Sequence, residues 1–237
     1  MSVLAIIPAA GMGVRMGGAT PKQYLSIEGI PIFVHTLRKF VACPGVDDIF
    51  LGLRAEDNER VQQEIDRERF PRKVRLVEGG PTRQETVARC LDLAPAGTEV
   101  VLVHDAVRPF IELEMIQRAT EAARKDGAAI LGIPSVDTVK QVERQAILGT
   151  IPRERIVLAQ TPQAFRYEII RDAYSRAAAD DFYGTDDASL AERLGYSVTV
   201  IMGSDRNIKI TKPSDLPLAR LYIAQERESP EAVDKGQ

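Results

Sequence analysis

Histidine is scarce, with two in 237 residues, and that excludes a His-rich metal site. Cysteine is equally scarce. Cys43 and Cys90 fall in apolar segments with helical spacing, the pattern of reduced thiols in a cytoplasmic protein rather than of a disulfide scaffold. No stretch approaches the ~18 apolar residues that a transmembrane helix needs. The opening run, Met1–Gly11, has no basic region and is too short in apolar residues for a secretory signal, so it reads as a first β-strand. The formal net charge is −3, so neither nucleic acid nor a membrane surface is an expected partner. What is present is ordinary: 44% hydrophobic and 27% charged residues, in a chain long enough to build a core without staples.

Short β-branched runs alternate with amphipathic stretches. The pattern predicts strands over Val3–Ile7, Asp48–Leu53, Val74–Val77, Val100–Val103, Ala128–Ile133 and Ser197–Met202. Helical spacing marks Pro31–Val41, Ala55–Arg69, Thr82–Leu93, Glu112–Lys125, Tyr167–Ala179 and Asp186–Leu194. Several strands are apolar throughout, as when helices cover both faces of a sheet. The expected fold is α/β: a Rossmann-like open, mostly parallel sheet with helices on both faces. One domain over residues 1–226 and a frayed polar tail at 227–237 complete the reading. Between Pro134 and Pro162 the rhythm breaks. Val136, Val139, Val142, Ile147, Leu148, Ile151 and Ile156–Leu158 suggest two or three short strands. They form a projecting β-arm at about 135–160, fenced by the prolines, that packs on a second subunit. A β-meander on the same domain is the plainer alternative.

The first strand runs into PAAGMGVRMGGATPKQY, Pro8 to Tyr24, with four glycines and the cations Arg15 and Lys22. It is not a Walker A loop, because its lysine follows proline. It is not a dinucleotide fingerprint either, because Met16 stands where the third glycine belongs. A long loop over the carboxyl end of a strand is where ligands of open α/β sheets bind. Glycines let backbone N–H groups form an anion nest, Arg15 adds a rigid fork and Lys22 a point charge. That is a phosphate clamp; a flexible loop with two solvated cations is the alternative.

Three more constellations carry chemistry. VHDAVRP puts Asp105 and Arg108 just past a strand, where one carboxylate suits a Mg²⁺ carried by a nucleotide. A surface Asp–Arg pair at a turn is the alternative, and His104 reads as structural. EGGPTRQETV offers Gly79 and Gly80 for close approach of a flat base and Thr86 for its edge, while Thr82 and Glu85 can also cap a helix. SDRNIKIT carries Asp205 and Lys209. On a half-buried strand Lys209 would point opposite to Ile208 and Ile210, and there it could be merely solvated.

Taken in order, PAAGMGVRMGGATPKQY, GGPTRQETV, VHDAVRP, VDTVK with AQTPQAF, and TDDAS with NIKIT resemble the 2-C-methyl-D-erythritol 4-phosphate cytidylyltransferase family of nucleotidyltransferases, from Val3 to about Leu221. Ribitol-5-phosphate cytidylyltransferases share most of these segments. The resemblance implies transfer of a cytidylyl group from CTP to a polyol phosphate in non-mevalonate isoprenoid synthesis, with Mg²⁺ and a homodimer. It implies catalytic roles for Arg15, Lys22, Arg153 and Lys209, with Arg155 the competitor to Arg153 as two residues on one face of an extended chain. It places Ala9, Ala10, Gly11, Gly13, Gly79, Gly80, Arg83, Thr86, Asp105 and Ala106 around CTP. Arg108, Thr138, Thr185 and Asp205 fall to the second substrate, and the metal to Asp105 with Asp205 near it. A catalytically silent CTP-binding module is the remoter alternative.

Overall fold

The first strand sets the frame. In the computed structural model, which describes residues 2–11 and 22–228, β1 (Ser2–Pro8) is buried on both sides. Val3, Ala5 and Ile7 enter one core, and Leu4 and Ile6 the other. Two-sided burial demands strands at both edges and helices on both faces. A small hairpin, β2 (Ser26–Ile27) with β3 (Ile30–Pro31), leads into α1 (Ile32–Ala42). Then come β4 (Asp48–Leu53), α2 (Asn58–Glu68), β5 (Val74–Glu78), α3 (Arg83–Asp92), β6 (Thr98–Val103), α4 (Leu113–Asp126) and β7 (Ala128–Pro134). The second half holds β8 (Val139–Glu143), β9 (Ala146–Ile151), β10 (Val157–Arg166), α5 (Tyr167–Ala179), α6 (Asp187–Arg193), β11 (Thr199–Met202) and α7 (Asp215–Glu228).

The main sheet has seven strands in the order β11-β7-β10-β6-β1-β4-β5. All neighbouring pairs are parallel except those of β10, which runs antiparallel to β6 and β7. The order therefore reverses between β1 and β6, the switch point at which open α/β sheets bind ligands. Helices α1 and α4 cover one face; α3, α5 and α6 cover the other. Their fit is close: a Cβ on Gly52 would lie 2.4 Å from Thr86 Cγ2.

The predicted alternation of strands and helices matches this architecture, with three corrections. The stretch Ile156–Leu158 is not an arm strand. Val157 and Leu158 begin β10, a central strand, and Pro162 lies inside it rather than fencing the arm. A proline without N–H is tolerated there because the register against β7 shifts between Gln160 and Gln163. The arm is thus one hairpin, β8–β9, with Arg144 and Gln145 at positive φ in its turn. Second, Arg153 and Arg155 lie in a 3-10 turn, Arg153–Arg155, so they do not share a face as in an extended chain. Third, α7 was not foreseen. Pro217 obscured it, although proline is tolerated in a first helical turn. Asp215 accepts hydrogen bonds from the N–H groups of Thr211 and Lys212 at its start. The helix runs through the first two residues of the expected tail, and residues 229–237 lie outside those described.

Candidate active site

The carboxyl ends of the parallel strands bring most of the candidate residues to one edge of the sheet. Ala9–Gly11 follow β1, Gly79 and Gly80 follow β5, His104–Arg108 follow β6, and the segment with Lys209 follows β11. Because β10 is antiparallel, Gln160 and Thr161 in its first half reach the same edge.

At the centre is Asp105, with a side chain 8% exposed. Arg83 Nε donates to its Oδ1 at 3.2 Å and Lys209 Nζ lies 2.8 Å from Oδ2. Arg108 Nε is 3.5 Å from the same Oδ2. Burial alone would raise the Asp105 carboxyl, but Arg83, Lys209 and Arg108 outweigh it and hold the group far below the ordinary carboxylate range. Asp105 and its three cations line a cleft of about 310 Å³ with Gln160, Thr161, Gln163, Thr185 and Asp186. The net charge of this wall is positive, as two anionic substrates require.

Lys209 does not sit on a strand, contrary to the sequence expectation. It belongs to an irregular segment after β11 whose backbone is pinned from beneath. Gln160 pairs with both backbone groups of Ser204, and the buried Asn207 donates to the Thr161 carbonyl at 2.9 Å. Arg108 Nη1 donates to the Asn207 carbonyl at 2.7 Å, and Ile210 N–H to the Val107 carbonyl. Asparagine, glutamine and isoleucine neighbours thus aim the lysine. None of them announces that role in the sequence.

A second recess of about 360 Å³ is lined by Ala10, Arg54, Ala55, Glu56, Gly79, Gly80 and Pro81. The glycines are required here: a Cβ on Gly79 would lie 2.7 Å from Ala10 Cβ, and one on Gly80 2.5 Å from Glu85 Cβ. Thr86 is fully buried, and its hydroxyl is bonded to Gly80 and Thr82. It shapes the glycine turn and does not present itself to a base edge. Thr82 and Glu85 form the expected reciprocal cap of α3. Ala106 is likewise buried, with its carbonyl held by the Thr36 hydroxyl at 2.9 Å.

Gly13 and Arg15 lie outside the described residues, as does the side chain of Lys22. Gln23, 3% exposed, donates to the carbonyls of Ala9 at 2.6 Å and Gly11 at 2.9 Å, so the two ends of the glycine stretch meet. The cleft does not include Asp205, which is exposed on a turn, nor Thr138 and Arg153 of the arm region. Arg153 donates to the Val136 carbonyl at 2.9 Å.

Asp105 is a carboxylate with both oxygens facing cations, and the described residues contain no cluster of three or more His, Cys, Asp or Glu able to hold a metal. That donor set does not fit a resident metal, and it would reach a Mg²⁺ borne by substrate phosphates, which uses one or two protein carboxylates, only if one of these cations gave way.

Two recesses on one sheet edge, one cationic and one lined by glycine backbone, suit a transferase that joins a nucleotide to a second anion: a nucleotidyltransferase. Comparison with known proteins narrows this. The family model described as 2-C-methyl-D-erythritol 4-phosphate cytidylyltransferase matches residues 3–225. A protein of that name from Acidobacterium capsulatum is 51% identical, over 95% of this chain and 98% of that protein. One from Solibacter usitatus is 47% identical, over 95% and 97%. Among solved structures, the 4-diphosphocytidyl-2C-methyl-D-erythritol synthase of Anaerococcus prevotii superposes with a TM-score of 0.84 at 31% identity, covering 94% of this chain and 96% of that one. The corresponding cytidylyltransferase of Thermus thermophilus gives 0.76 at 34% identity, covering 94% and 100%. The chain belongs to the 2-C-methyl-D-erythritol 4-phosphate cytidylyltransferase family.

His104 gives the site a pH signature. It is fully buried between the Thr161 hydroxyl at Nδ1, 3.1 Å, and the Arg108 carbonyl at Nε2, 3.0 Å. The Arg108 carbonyl can only accept, so Nε2 carries the proton; in the neutral imidazole Nδ1 then accepts from the Thr161 hydroxyl, whose oxygen accepts from Asp105 N–H. Burial lowers its pKa from 6.5 to about 4. The unfolded chain then binds the extra proton first, so stability falls as pH drops from about 6.5 to about 4, by roughly 3 kcal/mol. The Asp105 contribution is lost only below its ordinary value of 3.8, a separate window. Urea unfolding across pH 4 to 7 should show the slope in wild type and a clearly shallower one in His104→Asn, the remainder including His35, which burial also holds low; equal slopes would mean that His104 does not contribute.

Proposed function

We propose that the chain transfers the cytidylyl group of CTP to 2-C-methyl-D-erythritol 4-phosphate, releasing pyrophosphate, in non-mevalonate isoprenoid precursor synthesis. One observation carries the proposal beyond family membership: in the cleft at the switch point, Arg83, Arg108 and Lys209 surround the carboxylate of Asp105. An anionic nucleophile needs such a wall. The substrate's phosphate oxygen forms a bond to the α-phosphorus of CTP as the bond to the bridging oxygen of the β-phosphate breaks. A phosphate monoester is already largely ionised at neutral pH, its second pKa being about 6, so no general base is required. His104, the histidine at this edge, has both ring nitrogens engaged, and burial pushes the Cys90 thiol up to about 12.

Lys209 and Arg108 hold the attacking phosphate in this reading, and Arg15 and Lys22 neutralise the triphosphate and the leaving pyrophosphate. Catalysis is then positioning and charge stabilisation. Asp105 would be the protein carboxylate for a Mg²⁺ carried by CTP, which would supply charge neutralisation of the triphosphate. The glycine recess takes the cytosine, with Gly79 and Gly80 at its floor. Both cysteines are free and buried, which suits a reducing compartment, and we place the enzyme in the cytoplasm. Among the described residues no helix is long and apolar enough to cross a membrane.

The enzyme acts as a homodimer through its arm. Val142, Ile147 and Leu148 of the hairpin are 57–64% exposed, and a lone two-stranded hairpin is marginal in water. Arg153 and Thr138, outside the cleft of their own chain, complete the site of the partner.

Two measurements test these proposals. Pyrophosphate release should require CTP, a divalent cation and 2-C-methyl-D-erythritol 4-phosphate, with rates at least ~10-fold lower for ATP, GTP, UTP or ribitol 5-phosphate; preference for ribitol 5-phosphate would reassign the substrate. Mixing inactive Arg153→Ala chains with inactive Lys22→Ala chains should restore one working site per mixed dimer. No recovery, with exchange of chains verified, would show that the arm serves its own chain.

A further inference from the structure

The buried carboxylate of Asp187, the first residue of α6, does not itself line the cleft described above and has no assigned part in the reaction. Its side chain is 0% exposed. Its Oδ1 accepts from Arg83 Nη1 at 3.0 Å and from the Tyr174 hydroxyl, and its Oδ2 accepts from Arg83 Nη2 at 2.7 Å. Tyr174 is held neutral: burial and the adjacent Asp187 raise its pKa well above 10. Burial disfavours the charged Arg83, but Asp187 and Asp105 together over-compensate. The guanidinium is clamped at two points from behind, so its Nε edge alone is turned to Asp105.

We infer that Asp187, supported by Tyr174, is a positioning residue for cytidylyl transfer that acts through Arg83 on Asp105 and Lys209. The inference rests on the functional reading above. A free arginine of this length samples many rotamers; a bidentate carboxylate fixes it. A buried ion pair is weak evidence for stability, because apolar side chains of equal volume often serve as well or better. What an apolar pair cannot do is hold a guanidinium at the rim of a reaction cleft. The location agrees: Thr185 and Asp186, just before Asp187, themselves line that cleft, so the pair also ties the start of α6 to the start of α3.

The chain Tyr174–Asp187–Arg83–Asp105–Lys209, whose charges alternate from Asp187 onward, makes a specific statement about coupling. With Asp187 neutralised, Arg83 is released from its clamp. Asp105 is then its nearest carboxylate, and Arg83 competes with Lys209 for it. The attacking phosphate loses its alignment, and misplacement by ~1 Å can lower turnover by ~10²-fold. If Asp187 acts only through Arg83, its removal has little further effect once Arg83 is gone.

The experiment measures kcat per folded enzyme, at saturating CTP and 2-C-methyl-D-erythritol 4-phosphate, with the folded fraction set by thermal melting. Asp187→Asn should lower kcat by ~10- to 100-fold. Tyr174→Phe, which removes only the supporting hydrogen bond, should lower it by ~3- to 10-fold. In an Arg83→Gln background, each substitution should change kcat by less than about two-fold. A purely structural role would lower the folded fraction and leave kcat per folded molecule unchanged, and that result overturns the inference. So does full multiplication of the effects in the double variants. Should Asp187→Asn not fold, Tyr174→Phe alone and in the Arg83→Gln background gives the same decision. Absence of transfer by the wild-type protein would instead overturn the functional reading beneath it.

Discussion

A single buried carboxylate organises the catalytic edge of this protein. Asp105 stands at the end of β6, where the strand order reverses, and Arg83, Arg108 and Lys209 come to it from three different parts of the chain. Without Asp105 the three cations would repel one another in a partly buried space. With it they form a wall of net positive charge and fixed geometry. The difficulty of the reaction is electrostatic, because a phosphate monoester must approach a triphosphate. Cations alone would attract both anions; only cations held in place can align them. The rest of the edge serves that end. Gln160 and Asn207 pin the segment of Lys209, and Thr161 holds the Asp105 backbone and the neutral His104 beneath it.

The parallel half of the sheet was legible because its strands are buried on both faces. Val3–Ile7, Ile49–Leu53 and Val100–Val103 are apolar throughout, and burial follows that pattern directly. The antiparallel β10 was not. Its middle, Ala159–Gln163, carries Gln160, Thr161, Pro162 and Gln163, which read as a boundary. Those polar side chains are buried because each has a partner across the edge of the sheet: Gln160 with Ser204, Thr161 with His104, Gln163 with Asp186 and Ala188. Helix α7 was missed for a related reason, since Pro217 hides in a first turn that its geometry permits.

The candidate site divides along a similar line. Residues on short segments just past apolar strands, such as Asp105, Arg108 and Gly79, could be placed from order along the chain, since strand ends share one edge. Residues that act by holding others could not. Asp187 and Tyr174 lie 104 and 91 positions beyond Arg83 in the numbering, and Gln23 closes its loop over 14 residues to Ala9. No local pattern distinguishes such partners from ordinary polar side chains. The resemblance named TDDAS as a segment without saying what its second aspartate does. The structure supplies the answer as a bidentate contact.

The claim that Asp105 works by ordering cations, rather than by its charge alone, has an unusual consequence. Asp105→Asn removes a negative charge from a cleft that binds two anions. On charge alone, the variant should bind polyol phosphate more tightly and turn over at least as fast. If Asp105 fixes Arg83, Arg108 and Lys209, the variant should instead lose turnover, by ~10²-fold or more at saturating substrates, even where anion affinity rises. Steady-state kinetics in both substrates, with Mg²⁺ raised until the rate no longer changes so that weaker metal binding is not read as disorder, paired with calorimetric titration of the polyol phosphate, decides between these outcomes. Reduced kcat with equal or tighter phosphate binding is the expected result; wild-type or faster turnover would contradict the ordering role of Asp105.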